Sequence, residues 1–328
     1  MHAFWLVLAL TAPSVSSETV EIKLATQAPE QSVWGRAMTE MAAEIDEATE
    51  GRVRLKCYAN GVQGDEKTVL RKIRVGQLHA AAFIGSGLAQ ICKDSLALQF
   101  PLQFENRTEV DEVLSRVGPL LEKQCQENGY EVLAWPHLGF SYLFSTRPVG
   151  SVAELRKAKP WLIENDRLSK ELFEALSITP VTVGVTDVLP GLQSGLIDTV
   201  FSPPVGLVAL QWHTKVKHRV DLAINYSVGV IAVSQRTWKK IPEDLQRTVR
   251  DVIQRRVTEL NEKVGLQNRE ALEVLEKRGM KCSAIGEDDR RELREATKRI
   301  EAKLRDKEFS GAVLDAVREA LQELRKKS

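Results

Sequence analysis

Beyond a short apolar run at the start, FWLVLALTAP (residues 4–13), the sequence has no stretch approaching the ~20 consecutive apolar residues of a membrane-spanning helix. It also lacks an excess of either charge: Lys and Arg total 46 against 45 Asp and Glu, for a net charge of +1. So weak a field draws the chain neither to nucleic acid nor to an anionic membrane. The basic segment WKKIPEDLQRTVRDVIQRR interleaves acids at helical spacing and reads as a solvated helix face. Four cysteines, Cys57, Cys92, Cys125 and Cys282, include no CxxC pair, which argues against a zinc or thioredoxin-like site. Three pairings are open to them in an oxidising compartment, and buried free thiols fit equally well. The usual marks of catalysis are missing too. The five histidines share no metal-ligand spacing, and there is no GxSxG elbow, GxxxxGK[ST] phosphate loop or GxGxxG fingerprint. Asp187 and Asp198 read as a helix cap and a loop anchor. No enzymatic activity, metal or cofactor is expected.

What is present is a chain of 328 residues, 43% hydrophobic and 28% charged, long enough for two domains of ordinary size. The initial apolar run is too short to cross a bilayer, and Val15 and Ser17 satisfy the small-residue rule for cleavage before Glu18. Residues 1–17 therefore read as a signal peptide, although a positively charged leading segment is missing. No cysteine stands at the cleavage site to carry a lipid.

The body of the chain alternates strands and helices. VEIKLAT (20–26) and RVRLKCYA alternate as strands, and the helix between them carries Val33, Met38, Met41 and Ile45 on one stripe. GDEKTVLRKIRVG gives a second helix and LHAAAFIG a third strand, a β-α-β-α-β order that predicts a parallel sheet with helices on its faces. After YEVLAWPHLGFSYLFSTRPV, a strand-rich stretch, the unit restarts. WLIEND, RLSKELFEALSI, TPVTVGV, TDVLPGLQSG and LIDTVFS repeat strand, helix, strand, helix, strand. IRVGQLHAAAFIGSG (73–87) and LQSGLIDTVFSPP (192–204) are thus matching closures of two similar lobes. In each, a Gly caps the helix, and a breaker falls at the carboxyl end of the last strand, where open α/β sheets bind ligands. HRVDLAINYSVGVIAVSQ then returns as strand, and a helix from TWKKIPEDLQ to Gly279 is long enough to brace both lobes.

The order of these segments resembles the DctP-type substrate-binding proteins of TRAP (tripartite ATP-independent periplasmic) transporters, from about Glu21 to Ser310. The landmarks are LATQAPEQSVWGRAMTEMAAEIDEATEGRVRLKCYANG, DEKTVLRKIRVGQLHAAAF, LALQFPLQF, RPVGSVAELRKAK, ALSITPVTVGVTDVLPGLQSGLIDTVFSPP and VSQRTWKKIPEDLQRTV. The resemblance implies an α/β, two-lobed periplasmic solute-binding fold with hinge strands and a long helix crossing both lobes. It implies lobes at 18–138 plus 228–265 and at 139–227 plus 266–328. It also implies periplasmic location, a small-molecule ligand and TRAP membrane subunits as partners, with a periplasmic accessory protein as a further possible partner.

Two departures stand out. The family's ligand-clamping Arg, two residues past the last Lys of LRKAK, is replaced by Trp161, and the Asn of its GxxNP by Ser202. An indole offers one N–H where a guanidinium offers a bidentate fork. Arg147 and Arg167 are the nearby cations, and Arg147 falls at a strand end. The expected ligand is therefore hydrophobic or amphipathic rather than a simple dicarboxylate. Candidate contacts are Trp161, Phe201, Ser202, Trp34, Phe140 and Tyr142, with Glu30, Gln31 and Ser86 as polar partners. Trp135 and Trp212 lie in neighbouring segments, and Trp135 and Phe140 alternate with polar residues as core side chains would. The alternative function is a ligand-sensing or partner-binding module on the same fold without a permease.

Overall fold

The computed structural model describes residues 19–327; the expected signal peptide lies outside them. The first half opens with β1 (Val20–Thr26), α1 (Val33–Ala48), β2 (Val53–Tyr58), α2 (Glu66–Arg74) and β3 (Ala80–Ile84). α3 (Gly85–Ile91), a 3-10 turn (Lys93–Leu98), α4 (Arg107–Glu127) and β4 (Tyr130–Ala134) follow. β5 (His137–Ser145) crosses to the second half: α5 (Val152–Leu155), β6 (Trp161–Leu162), α6 (Arg167–Ala175), β7 (Val181–Thr182), α7 (Val188–Ser194), β8 (Thr199–Ser202) and α8 (Pro204–Ala209). β9 (His218–Ser234), α9 (Gln235–Trp238), α10 (Glu243–Lys277), β10 (Lys281–Ser283), α11 (Glu287–Leu304) and α12 (Gly311–Lys327) complete the chain.

Each half has a parallel trio. β2, β1 and β3 pair in that order, and β7 pairs with β6, which meets β8 through a bridge between Pro160 and Thr199. β3 and β8 hold equivalent places, so the repeated sequence phrase marks a repeated structural unit. The preceding helices end at Gly76 (φ +80°) and Gly195 (φ +72°), left-handed positions that glycine occupies without the Cβ penalty.

The sheets are mixed rather than purely parallel. β9 runs antiparallel to β3 and β4 over its second part and to β5 over its first, so one 17-residue strand belongs to both halves. β5 shifts register at three places along β9, loosening the ladder where the chain passes between halves.

The long helix starts later than its sequence suggests. Pro242, in extended conformation, stands at the cap position of α10, and its ring pushes Ile241 before it out of helical geometry, which separates α10 from α9. α10 still runs 35 residues. Leu245 to Val264 pack into the first-half core against Met38, Met41 and Ile45 of α1, and Leu275 packs into the second-half core. Its Asn261 and Asn268, two turns apart, hold the start of β5. Asn261 accepts from His137 N (2.8 Å) and donates to Trp135 O (3.2 Å), and Asn268 donates to Leu138 O (2.9 Å). The chain's end crosses back: Leu293 and Ala296 of α11 join the second-half core, while α12 packs Val313, Leu314 and Val317 into the first-half core that holds Val113 and Val117 of α4.

α1 begins at Val33, because Ser32 accepts from Gly35 N and serves as its cap. Asp198 is a loop anchor, accepting from Lys159 N (2.7 Å) and paired with Arg147 (3.1 Å). Asp187 makes no capping bond at the start of α7. Cys92 and Cys125 are buried side by side in the first-half core, Cys57 is half-buried and Cys282 exposed; all four are free thiols.

Candidate ligand-binding site

A cavity of about 290 Å³ lies where the two halves face each other. The carboxyl ends of β1, β3 and β8 feed it, as does the crossing part of β9 from Ile224 to Val228. This is the strand edge at which open α/β sheets hold ligands. Trp161, Leu162 and Ile163 enter from β6 and the residue after it, and Leu168, Leu172 and Phe173 from α6. The breakers seen in sequence are here: Gly85 and Ser86 on one side, Pro203 on the other.

Five of the nine candidate contacts line this cavity: Trp34, Ser86, Trp161, Phe201 and Ser202. Trp161 stands edge-on to Trp212, centroids 5.1 Å apart, and donates its indole N–H to Val183 O at 2.9 Å. Its one polar hydrogen is thus committed to the backbone, and it offers its ring to the cavity. Phe201 tilts against Phe173 at 5.9 Å. Trp34 is buried and donates to His137 O at 3.2 Å, tying α1 to the crossing strand β5. Ser202 is buried and its hydroxyl bonds Pro203 O (2.9 Å).

The other four do not line it. Glu30 and Gln31 are exposed at the turn before α1, because Ser32 caps the helix and turns them to solvent. Phe140 packs edge-on against Tyr226 at 4.8 Å, beside the first-half core. The Tyr142 ring lies under Arg219 at 5.2 Å. Both take the opposite face of β5 from Ser141, which does line the cavity, as the two-residue period of a strand requires. Trp135 is also elsewhere, bonded to Glu122 (3.0 Å).

No Lys, Arg or His lines the cavity among the described residues. Arg147 is engaged with Asp198 and with Lys157 O (2.6 Å), and Arg167 pairs with Glu171 at 2.9 Å. Neither replaces the clamp. The lining instead includes two carboxylates that sequence reasoning missed, Glu66 and Asp166. Glu66 opens α2 and points back under β3, where it accepts from Ile84 N (2.7 Å), Ser86 Oγ (3.0 Å) and Gly87 N (2.7 Å). Burial pushes its pKa up to about 7 despite those donors, which favour the ionised form. Asp166 caps α6, accepting from Ser169 N (3.0 Å) and Ser169 Oγ (2.6 Å), and burial raises its pKa as well. Asp166 carried a sequence signal as a cap before an amphipathic helix. Glu66 carried none beyond its place in a first turn, where an acid is ordinary.

No group of three or more His, Cys, Asp or Glu among the described residues is arranged to hold a metal ion. No described helix is long and apolar enough to cross a membrane.

The chain matches the DctP family, described as bacterial extracellular solute-binding protein, family 7, over residues 24–308. It is 25% identical over 246 residues to a solute-binding protein of Roseobacter denitrificans, covering 74% of this chain and 75% of that one. It is 20% identical to the C4-dicarboxylate-binding periplasmic protein DctP of Rhodobacter capsulatus, covering 84% and 82%. In structure it resembles a TRAP periplasmic solute-binding protein of Xanthobacter autotrophicus with bound β-D-galacturonate, with TM-score 0.84 and 19% identity over 91% of this chain and 98% of that one. With a two-lobed fold, a cavity at the strand ends and a family match across most of its length, this chain belongs to the DctP family of solute-binding proteins of TRAP transporters.

Proposed function

We propose that this protein delivers a small hydrophobic or amphipathic solute, and not a simple dicarboxylate, to TRAP membrane subunits. The observation that supports this is the absent cation. At the clamp position stands Trp161, its N–H spent on Val183 O, and no Lys, Arg or His lines the cavity to neutralise an anion. Burying a carboxylate without a counter-charge costs several kcal/mol, more than its hydrogen bonds return. The DctP of Rhodobacter capsulatus is named for C4-dicarboxylates and the Xanthobacter autotrophicus protein holds a sugar acid, so this chain departs from both in its ligand.

Residues 1–17 direct export and are removed, which places the mature protein in the periplasm. The lobes, 18–138 plus 228–265 and 139–227 plus 266–328, close on the solute by bending at β5 and β9; α12 falls within the second range by sequence but packs on the first-half core and would move with it. A sensing or partner-binding role without a permease has less support. Of the exposed large apolar side chains, Val62, Val75, Leu120, Leu196 and Val208 sit on separate segments, and Leu266 and Val274 share α10.

Mass spectrometry of small molecules released by denaturing the freshly purified protein tests the reading. The expected outcome is a compound without a carboxylate, lost in Trp161→Arg. Release of a dicarboxylate or sugar acid from the unmodified protein would sink it.

A further inference from the structure

The cavity is acidic as well as free of cations, and that sets it apart from the rest of the interior. Two other glutamates are buried, Glu109 and Glu171, and both have basic partners. Glu109 pairs with Arg325 at 2.7 Å, and Glu171 with Arg167 at 2.9 Å and with Lys303. Glu66 and Asp166, which line the cavity, form no ion pair among the described residues; their hydrogen bonds come from backbone amides and serine hydroxyls. Dipoles of that kind lower the energy of a negative charge without cancelling it.

The aromatic lining supplies the complement. Trp161 with Trp212, and Phe173 with Phe201, form two ring pairs around the cavity, and the committed indole N–H of Trp161 leaves its π system as its attraction for a ligand. Ring faces attract cations through their quadrupole, most strongly out of water. An adjoining cavity of about 100 Å³, sharing Glu66 and Ser86 with the first, adds Asp65 and Glu164 against the single cation Lys67.

We infer that the solute is a cation, an amine or quaternary ammonium compound, held by the aromatic pairs and by the uncompensated carboxylates of Glu66 and Asp166. This deepens the preceding proposal and rests on the same cavity being the ligand site. An anionic solute would face two acids that have no basic partner, and a neutral one would leave them to relieve their burial only by holding protons. Burial raises the pKa of both acids, the direction that an arriving positive charge would reverse.

Calorimetric titration of the mature protein, freed of bound solute by refolding, tests this with choline and its uncharged isostere 3,3-dimethylbutan-1-ol. Tetramethylammonium, benzylamine, succinate and galacturonate complete the set. Choline or another cation should bind at least about tenfold more tightly than the alcohol. Asp166→Asn keeps the helix cap, since Asn caps as well as Asp, and removes the charge. It should erase most of that preference, measured as the ratio of choline to alcohol affinity in the variant against that in the unmodified protein. Equal or tighter binding of the alcohol, or no cation binding at millimolar concentration, overturns the inference while leaving a neutral apolar ligand standing. Tight binding of succinate or galacturonate overturns both this inference and the proposed function.

Discussion

The two βαβαβ units have one topology and meet at one cavity, yet they finish their last strands by different means. In the first half, a carboxylate buried under the turn collects Ile84 N, Ser86 Oγ and Gly87 N and so fixes the Gly85–Gly87 breaker. In the second half Pro203 and Pro204 do that work through restricted backbone dihedrals and neutral bonds, Ser202 Oγ to Pro203 O and Val205 N to Asn268 Oδ1, with Pro204 as the first residue of α8. The proline solution costs no charge desolvation. The carboxylate solution does, and it leaves an acid without a basic partner at the cavity, its pKa raised by burial. A repeated fold therefore does not repeat its chemistry. The first half brings its acid to the cavity from that turn, whereas the second half brings Asp166 from the cap of α6.

The comparison breaks first at Glu66. In mildly acidic buffer Glu66→Ala removes the acceptor of three donors at ~1–3 kcal/mol each, so the unfolding free energy from urea titration should fall by ~3 kcal/mol or more. A loss below ~1 kcal/mol would mean that water substitutes for the carboxylate.

The pH dependence comes next. Glu66 has a folded pKa of about 7 against an ordinary 4.5, so the folded state keeps a proton that the unfolded chain releases. Its contribution is full below 4.5 and is lost as pH rises through 7, a fall of about 3 kcal/mol. His137 acts in the opposite sense: burial lowers it to about 4, so its contribution holds above its ordinary 6.5 and is lost as pH falls toward 4. Subtracting the stability profile of Glu66→Gln from that of the unmodified protein should isolate the Glu66 term. A flat difference between 4.5 and 7 would show that Glu66 is solvated.

A smaller effect sharpens the comparison. Trp34 and Trp161, one from each half, both donate an indole N–H to a backbone carbonyl. Each Trp→Phe change should cost ~1 kcal/mol through the lost bond. Trp34 should cost the more because it is buried while Trp161 is only half-buried, and equal losses in thermal melts of the two variants would show that burial does not separate them. The smallest effect belongs to the prolines. Pro203→Ala should lose only ~0.4–1 kcal/mol, most of it through the unfolded chain. A loss matching that of Glu66→Ala would erase the distinction between the halves.

Much of this was legible from local pattern. Strand alternation, helical stripes and the paired helix-Gly-strand-breaker phrases located the repeated unit, because period and turn chemistry are properties of neighbouring residues. Trp161, Phe201, Ser202, Ser86 and Trp34 line the cavity because they sit at strand ends and helix starts of those units. Phe140 and Tyr142 were misjudged because the sequence of β5 gives alternation but not which phase faces the cavity, and register shifts along β9 blur even that. Glu30 and Gln31 depended on where α1 begins, a choice made by a single hydroxyl on Ser32.

By itself, then, the sequence determined the order of elements and the repeat of the two halves, since each is written in adjacent residues. Tertiary structure decided that β9 serves both halves, that Arg147 and Arg167 are spent elsewhere, and that Glu66 and Asp166, one hundred residues apart, line one cavity without a counter-charge. Charge balance inside a cavity is a sum over everything that folding brings near it and everything that folding removes. No stretch of sequence contains that sum.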